Sequence, residues 1–375
     1  MSIITPFSGP HTHAEQSVPK VMLSVLVALF PATVFGIYLF GWSALILFII
    51  TIFSALVSEA VCLWLANKPV KLFMLDGSAL LTAWLLAMTL PPTAPWWIGV
   101  IGGSFAIIFG KHVFGGIGQN IFNPAMMSRV VLLISFPLEM TTWINPLPIG
   151  SPNALSFTDS LSLTLGMNSV DVVSGASVMG HVKNELGQGH ALSDIIPQGY
   201  DIHSMAIGFS NGSMGETSAL LILFGAVLLL SLRIISWHIP GAMIATTAIL
   251  ATVFNTIDPL HYPDAIFHVL SGGLMLGAFF IATDPVTSPS SNAGRLLFGA
   301  GCGLLVYIIR TWGGYPEGIA FAVMLMNAST PVIDNYVRPR IYGYKSKNVP
   351  LQYSPEDFMS KDDLTTSDKQ SGGTH

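Results

Sequence analysis

This sequence predicts an all-α polytopic membrane protein of about ten transmembrane helices, and three observations carry that prediction. Charged residues make up 9% of the 375-residue chain and hydrophobic residues 51%, whereas soluble domains carry roughly 25% charged residues. The apolar residues gather into runs suited to a bilayer core of about 30 Å, which takes about 20 residues per straight helix. Lysine and arginine fall on alternate connections, as the positive excess of cytoplasmic loops requires.

The runs lie near 21–41, 43–66, 77–90, 95–110, 120–137, 217–236, 241–256, 266–282, 291–310 and 317–334. They divide the chain into an N-terminal segment 1–20, a first membrane repeat 21–137, an insertion 138–216, a second repeat 217–334 and a tail 335–375. Met1 to Pro19 is polar and holds His11 and His13, so no secretory signal is read, and the first apolar run, from Val21, is expected to stay as an anchor. With the N-terminus cytoplasmic, Lys20, Lys68, Lys71, Lys111, Arg129, Arg233, Arg295 and the basic residues from Arg338 onward fall inside. Only Lys183 and Arg310 fall outside. The insertion carries Glu139, Asp159, Asp171, Glu185, Asp194, Asp201 and Glu216 against the single Lys183, which suits the non-cytoplasmic face. Ten spans return the C-terminus to the cytoplasm, and the Ser, Asp, Lys and Thr of the tail are those of a disordered segment.

The halves resemble one another. GSALLTAWLLAMTL from Gly77 parallels GAMIATTAILATVF from Gly241, and Asn123-Pro124 in GGIGQNIFNPAMMSR parallels Asp284-Pro285 in GAFFIATDPVTSPSSNAGR. Five segments per half is an odd number, so the halves take opposite orientations. That predicts two inverted five-helix repeats with broken or re-entrant helices and a central binding site.

Polar groups at membrane depth mark candidates for that site. Asn120 and Asn123 are three apart and on a helix share one face. Their amides suit the donor and acceptor edge of a flat heterocycle, or equally the bonding of one helix to another. Asp284 and Glu59 are intramembrane carboxylates, functional candidates on that ground, with an interfacial place as the alternative for Glu59. Arg129 and Arg295 open the spans after the two Pro breaks, where they pair with a carboxylate or face the cytoplasm. GGIGQN lacks both a preceding strand with GxGxxG and a GK[ST] ending, so it is not a phosphate loop; its glycines suit close backbone approach. HExxH, CxxC and Ser-His-Asp spacings are absent, and Cys62 and Cys302 sit in separate apolar runs. Neither a metal site nor a catalytic residue is read. No basic, aromatic-interleaved patch points to nucleic acid.

The insertion contains DVVSGAS, Asp171 to Ser177. This Asp-x-x-Ser-Gly-Ala-Ser run resembles the acceptor motif of periplasmic flavin transferases. With FNPA, ATDPVTSP and the ten-segment plan, it resembles the NqrB/RnfD family over about residues 10–344. These are membrane subunits of Rnf-type ion-translocating oxidoreductases and of the sodium-translocating NADH:quinone reductase; the short N-terminal segment favours the Rnf branch. The resemblance implies FMN joined by a phosphoester to Ser177, with Asp171, Ser174, Gly175 and Ala176 read by the transferase. It implies a second, non-covalent riboflavin near Asn120, Asn123 and Asp284. It further implies partner subunits, among them another covalent-flavin subunit, ferredoxin/NAD electron transfer, Na⁺ or H⁺ translocation and a bacterial inner membrane. Glu59 and Asp284 are the ion-path candidates. The family ends its motif in Thr where this chain has Ser, which supplies the same oxygen without the methyl group. The rival readings are a non-redox channel or transporter for a small polar solute, which suits the same repeat, and a purely structural anchor.

Overall fold

A computed structural model describes residues 17–152, 154–167, 174–195, 202–209, 211–315, 317–338, 344–346 and 349–350. Asp171 and the tail beyond residue 350 lie outside the described residues.

Each of the ten predicted segments is present as helix. The first two run together as Val18–Leu65, divided at Gly41, whose φ of 76° and ψ of −158° leave the helical region. Ser78–Thr89, Trp96–Ile107 and Pro124–Ser135 complete the first half, the middle one continuing into a π-turn at Ile108–His112. The second half contains Ala219–Ser231, His238–Ile257, a broken segment made of Ala265–Leu270, Leu274–Leu276 and the π-turn Gly277–Ile281, then Asn292–Trp312 and Ile319–Tyr336. Val18–Leu65, His238–Ile257 and Asn292–Trp312 are long and apolar enough to cross a membrane. Ser78–Thr89 and Pro124–Ser135 have 12 residues each, or about 18 Å at 1.5 Å per residue. Such half-length helices hold at membrane depth only when protein surrounds their open ends. Here they pack between Val18–Leu65 and the second half, with Leu86, Ala87, Met88, Ala125 and Met126 all buried. Leu23, Phe30, Phe53, Trp64 and Phe224 point outward, as a lipid-facing surface requires.

Contacts fix the sense of the two halves. At one face Lys111 joins Ser78, the start of Ser78–Thr89, to Glu59 near the end of the first long helix. The far end of that half-helix, at Met88, lies against Gly215 at the close of the insertion. In the second half Gly273, which opens the segment to Ile281, is bonded to Glu317 on the insertion side. Asp284, after it, lines the same cavity as Ser78 and Lys111. The two broken segments therefore run in opposite directions, the geometry of an inverted repeat.

The pairing of residues between the halves differs from the one read in the sequence. Gly77 precedes a half-helix at a φ of 77°, whereas Gly241 lies inside the 20-residue helix His238–Ile257. The turns that correspond follow the broken segments: Thr-Leu-Pro-Pro-Thr-Ala-Pro at 89–95 and Thr-Asp-Pro-Val-Thr-Ser-Pro at 283–289. Leu90, not Asn123, stands where Asp284 stands in the other half.

The insertion forms short helices, among them Phe157–Leu165 and Val178–Gly187, and a two-residue antiparallel pairing of Trp143–Ile144 with Ser174–Gly175. Val178, Met179, Val182, Leu192, Ile195 and Met205 make its small core against Phe267. Lys183 anchors it to the membrane bundle by donating to the carbonyls of Arg310 (3.0 Å) and Gly313 at the end of Asn292–Trp312. A cation among the last carbonyls of a helix complements its dipole.

Candidate cofactor and ion site

Residues from both halves converge on a cavity on the face opposite the insertion. It holds about 810 Å³ of non-protein space, its open mouth included, and Ser78, Lys111, Asn120, Asn123, Phe280 and Asp284 are among its lining.

Asn123 is the N-cap of Pro124–Ser135. Its Oδ1 accepts from the backbone N–H groups of Ala125 (3.1 Å) and Met126 (3.2 Å), satisfying donors that a helix start leaves open. Proline at the first helical position has no N–H to satisfy. The side-chain oxygen is thus committed to the helix, and the amide nitrogen is the group left to offer a ligand. Asn120 precedes the helix in a turn and bonds through Nδ2 to the Phe122 carbonyl (3.0 Å), so the two asparagines converge without sharing a helical face. Both are buried.

The glycines before them do two kinds of work. Gly115, Gly116 and Gly118 have φ of 115°, 110° and 84°, values L side chains rarely adopt, and nothing lies within 4 Å of a Cβ placed on Gly116 or Gly118. Their role is the turn itself, not the close approach expected of them. Close approach belongs to Gly110 in the π-turn, where a Cβ would stand 2.8 Å from the Pro124 Cβ.

Asp284 is held by its own turn. Oδ1 accepts from Val286 N–H and Oδ2 from the Thr287 hydroxyl, both at 3.2 Å. Glu59, by contrast, is not a free intramembrane acid. It is 1% exposed, with Oε1 2.7 Å from the Lys111 Nζ and Oε2 2.8 Å from the His112 Nε2. Lys111 donates also to the Ser78 hydroxyl (2.7 Å), which in turn donates to the Asp76 Oδ1 (2.5 Å). Lys111 is therefore a buried partner and not the loop charge read from the sequence. Of the ion-path candidates, Asp284 faces the cavity, while Glu59 stands behind Lys111 and is absent from the cavity lining.

A second cluster lies toward the insertion. Arg129 is buried and pairs with Glu317 (2.6 Å), with Glu216 at 4.0 Å. Ser213 donates to Glu216 (2.7 Å), and Glu317 accepts from Gly273 N–H (3.0 Å). Arg310 donates to the carbonyls of His268 (2.7 Å) and Ser271 (3.1 Å), at the break of the second half. Of the two places read for Arg129, pairing with a carboxylate is the one it takes, and that pairing removes it from the count of loop charges. Arg295 remains on the cavity side, bonded to the Pro289 carbonyl (3.1 Å).

Ser177 is the N-cap of Val178–Gly187. Its Oγ accepts from Gly180 N–H at 3.2 Å and the residue is 3% exposed, so the hydroxyl is covered in this conformation. A small recess brings it together with Glu216, Ser271 and Gly272. Ser174 and Gly175 form the strand pairing with Trp143–Ile144, and Ala176 is half-buried.

Sequence reasoning missed Lys111, Asp76, Glu216 and Glu317. An acid such as Glu59 inside an apolar run calls for a cationic partner, and that demand was the available signal for Lys111.

The model of the NQR2, RnfD, RnfE family matches residues 6–343. A protein of Halorhodospira halophila, named as a subunit of the ion-translocating oxidoreductase complex, is 51% identical over 350 residues, 93% of this chain and 98% of its own length. The proteins of the same name from Stutzerimonas stutzeri and Rhodobacter capsulatus are 52% and 48% identical, over 90% and 81% of this chain and 95% and 85% of their own lengths.

Proposed function

From a chain that belongs to the NQR2, RnfD, RnfE family and is a subunit of an ion-translocating oxidoreductase complex, we propose that its membrane cavity binds riboflavin non-covalently and that Ser177 carries FMN by a phosphoester. The observation that carries the proposal is the convergence of Asn120, Asn123, Lys111 and Asp284 on one cavity between the two halves. Bound flavin supplies stepwise electron exchange, which no side chain of this chain provides.

The residues fit both groups. Phe280 and Leu85 give the cavity apolar walls. The Asn123 amide nitrogen and the Asn120 carboxamide supply the donor and acceptor an isoalloxazine edge requires. At Ser177 the start of Val178–Gly187 directs the Gly180 backbone N–H at the Oγ, and a helix N-terminus is a setting that favours a phosphate. Because the hydroxyl is covered, the transferase requires the 174–177 turn to lift or to be modified before it packs. Asp284, in the cavity wall, is the cation group of the path, for H⁺ or Na⁺, and Lys111, backed by Glu59, lines the same cavity. The partners are the other subunits of an Rnf-type complex, including the second covalent-flavin subunit, within a ferredoxin/NAD electron route. The membrane is the bacterial inner membrane, with the insertion periplasmic and both termini cytoplasmic. The relatives' shared name favours this redox reading over a plain transporter.

Purification from cells that contain a flavin transferase, followed by a denaturing gel, tests the covalent half. The chain fluoresces as flavin in wild type and Ser177→Thr and is dark in Ser177→Ala. A dark wild-type band contradicts it.

A further inference from the structure

Lys111 lines the proposed flavin cavity, and its placement is unusual for a lysine. It is 4% exposed in a π-turn held against the next helix by the Gly110 contact, and its ammonium has defined acceptors at 2.7 Å in Glu59 and Ser78. It also reaches the cavity wall that Asn120, Asn123 and Asp284 share. Its buried charge therefore stands beside the cavity that the two halves share.

Resting on the reading of the cavity as a flavin site, we propose that Lys111 is the positioning residue that sets the reduction potential of the redox group bound there, with Glu59 as its counterweight. Reduction by one electron adds one negative charge to the bound group with no bond made or broken, the electron coming from the complex's own carriers. A buried positive charge stabilises that added charge far more than it would in water. Glu59 partly offsets Lys111, and His112 on the other carboxylate oxygen fixes how much. Asp284, across the cavity, acts in the opposite sense. Asp76, bonded to Ser78, holds the hydroxyl that orients the ammonium. Serine as the second acceptor keeps Lys111 in place without adding a second negative charge beside the ligand.

Spectroelectrochemical titration of the intact complex follows each flavin component in wild type, Lys111→Gln, Lys111→Arg and Glu59→Gln. In Lys111→Gln the reduced state of one component loses about tenfold in stability relative to the oxidised state, a fall of about 59 mV for a one-electron step. Lys111→Arg keeps the wild-type midpoint. Glu59→Gln moves the same component upward, because the ammonium is then uncompensated. A merely structural role lowers flavin content without shifting midpoints in opposite directions. If Lys111→Gln retains its flavins and every midpoint is unchanged, the proposal is overturned. Should Lys111→Gln not accumulate, an unchanged midpoint in Glu59→Gln overturns it as well. Failure of the cavity reading is recognised separately, as the absence of riboflavin from the denatured wild-type complex.

Discussion

Two buried charge clusters stand at opposite faces of the same bundle, and they are built differently. On the cavity side Lys111, Glu59 and His112 form a tight unit whose cation still lines an open space. Toward the insertion, Arg129 pairs with Glu317 and Arg310 bonds the carbonyls at the break of the second half, each with one buried guanidinium nitrogen left without a partner. The first arrangement leaves a charge for a ligand. The second ties a helix break to its surroundings, where backbone groups freed at membrane depth must find partners. The difference lies in what each cluster touches: the lysine lines the cavity shared by both halves, while the arginines brace a helix break beside the Ser177 recess.

The contrast is sharpest in stability. Arg129→Leu leaves Glu317 and Glu216 buried without their cation, and loss of one partner of a buried pair costs about 3–5 kcal/mol. Thermal unfolding of the detergent-solubilised complex is expected to show this as the largest loss of the series. Near-normal stability in that variant removes the structural role assigned to the insertion-side cluster. Gly110→Ala acts on the cavity side, setting a methyl against Pro124; overpacking of this kind costs about 1–3 kcal/mol. Non-covalent flavin, measured after denaturing release, should fall with it, while covalent fluorescence on a gel persists. Lys183→Met removes the carbonyl contacts of the insertion, a loss of about 1–2 kcal/mol confined to docking. Limited proteolysis should then cut the insertion faster and leave the cavity's flavin in place; equal loss of both would merge the two regions into one unit. Smallest in stability is Asn123→Ala, about 1 kcal/mol for a lost N-cap. Asn123→Asp keeps the cap but not the amide donor. Flavin retention compared between these two separates capping from binding.

The fold was largely legible in the sequence, because the bilayer imposes length and hydropathy on every span. The runs from Gly77 and Gly241 both read as short for a straight span; the first is a half-helix, whereas the second lies within the 20-residue helix His238–Ile257. The repeat was legible as a class but not residue by residue. Gly and Pro recur throughout membrane helices, so Gly77 and Gly241 matched by composition while the true counterparts, the turns at 89–95 and 283–289, differ in their polar residue, Leu90 against Asp284. Asn120, Asn123 and Asp284 do line one cavity, but it lies at the face opposite the insertion and not at the centre expected between inverted halves. Glu59 was singled out, but its pairing with Lys111 and His112 was not, since those residues lie more than fifty positions away. Glu216 and Glu317 were hidden for another reason. Glu216 precedes the run 217–236 and Glu317 opens the run 317–334, where an acid reads as an ordinary boundary charge, and only folding carries them to Arg129.

The central claim is that the cavity between the halves holds a flavin without a covalent bond. The most direct measurement is denaturing release from the purified complex, with free riboflavin quantified against this chain in wild type and in Asn120→Leu. Riboflavin is expected to be stoichiometric with the chain in wild type and lost in the variant, while gel fluorescence from Ser177 is unchanged. Equal riboflavin in both would place the flavin elsewhere in the complex and contradict the account.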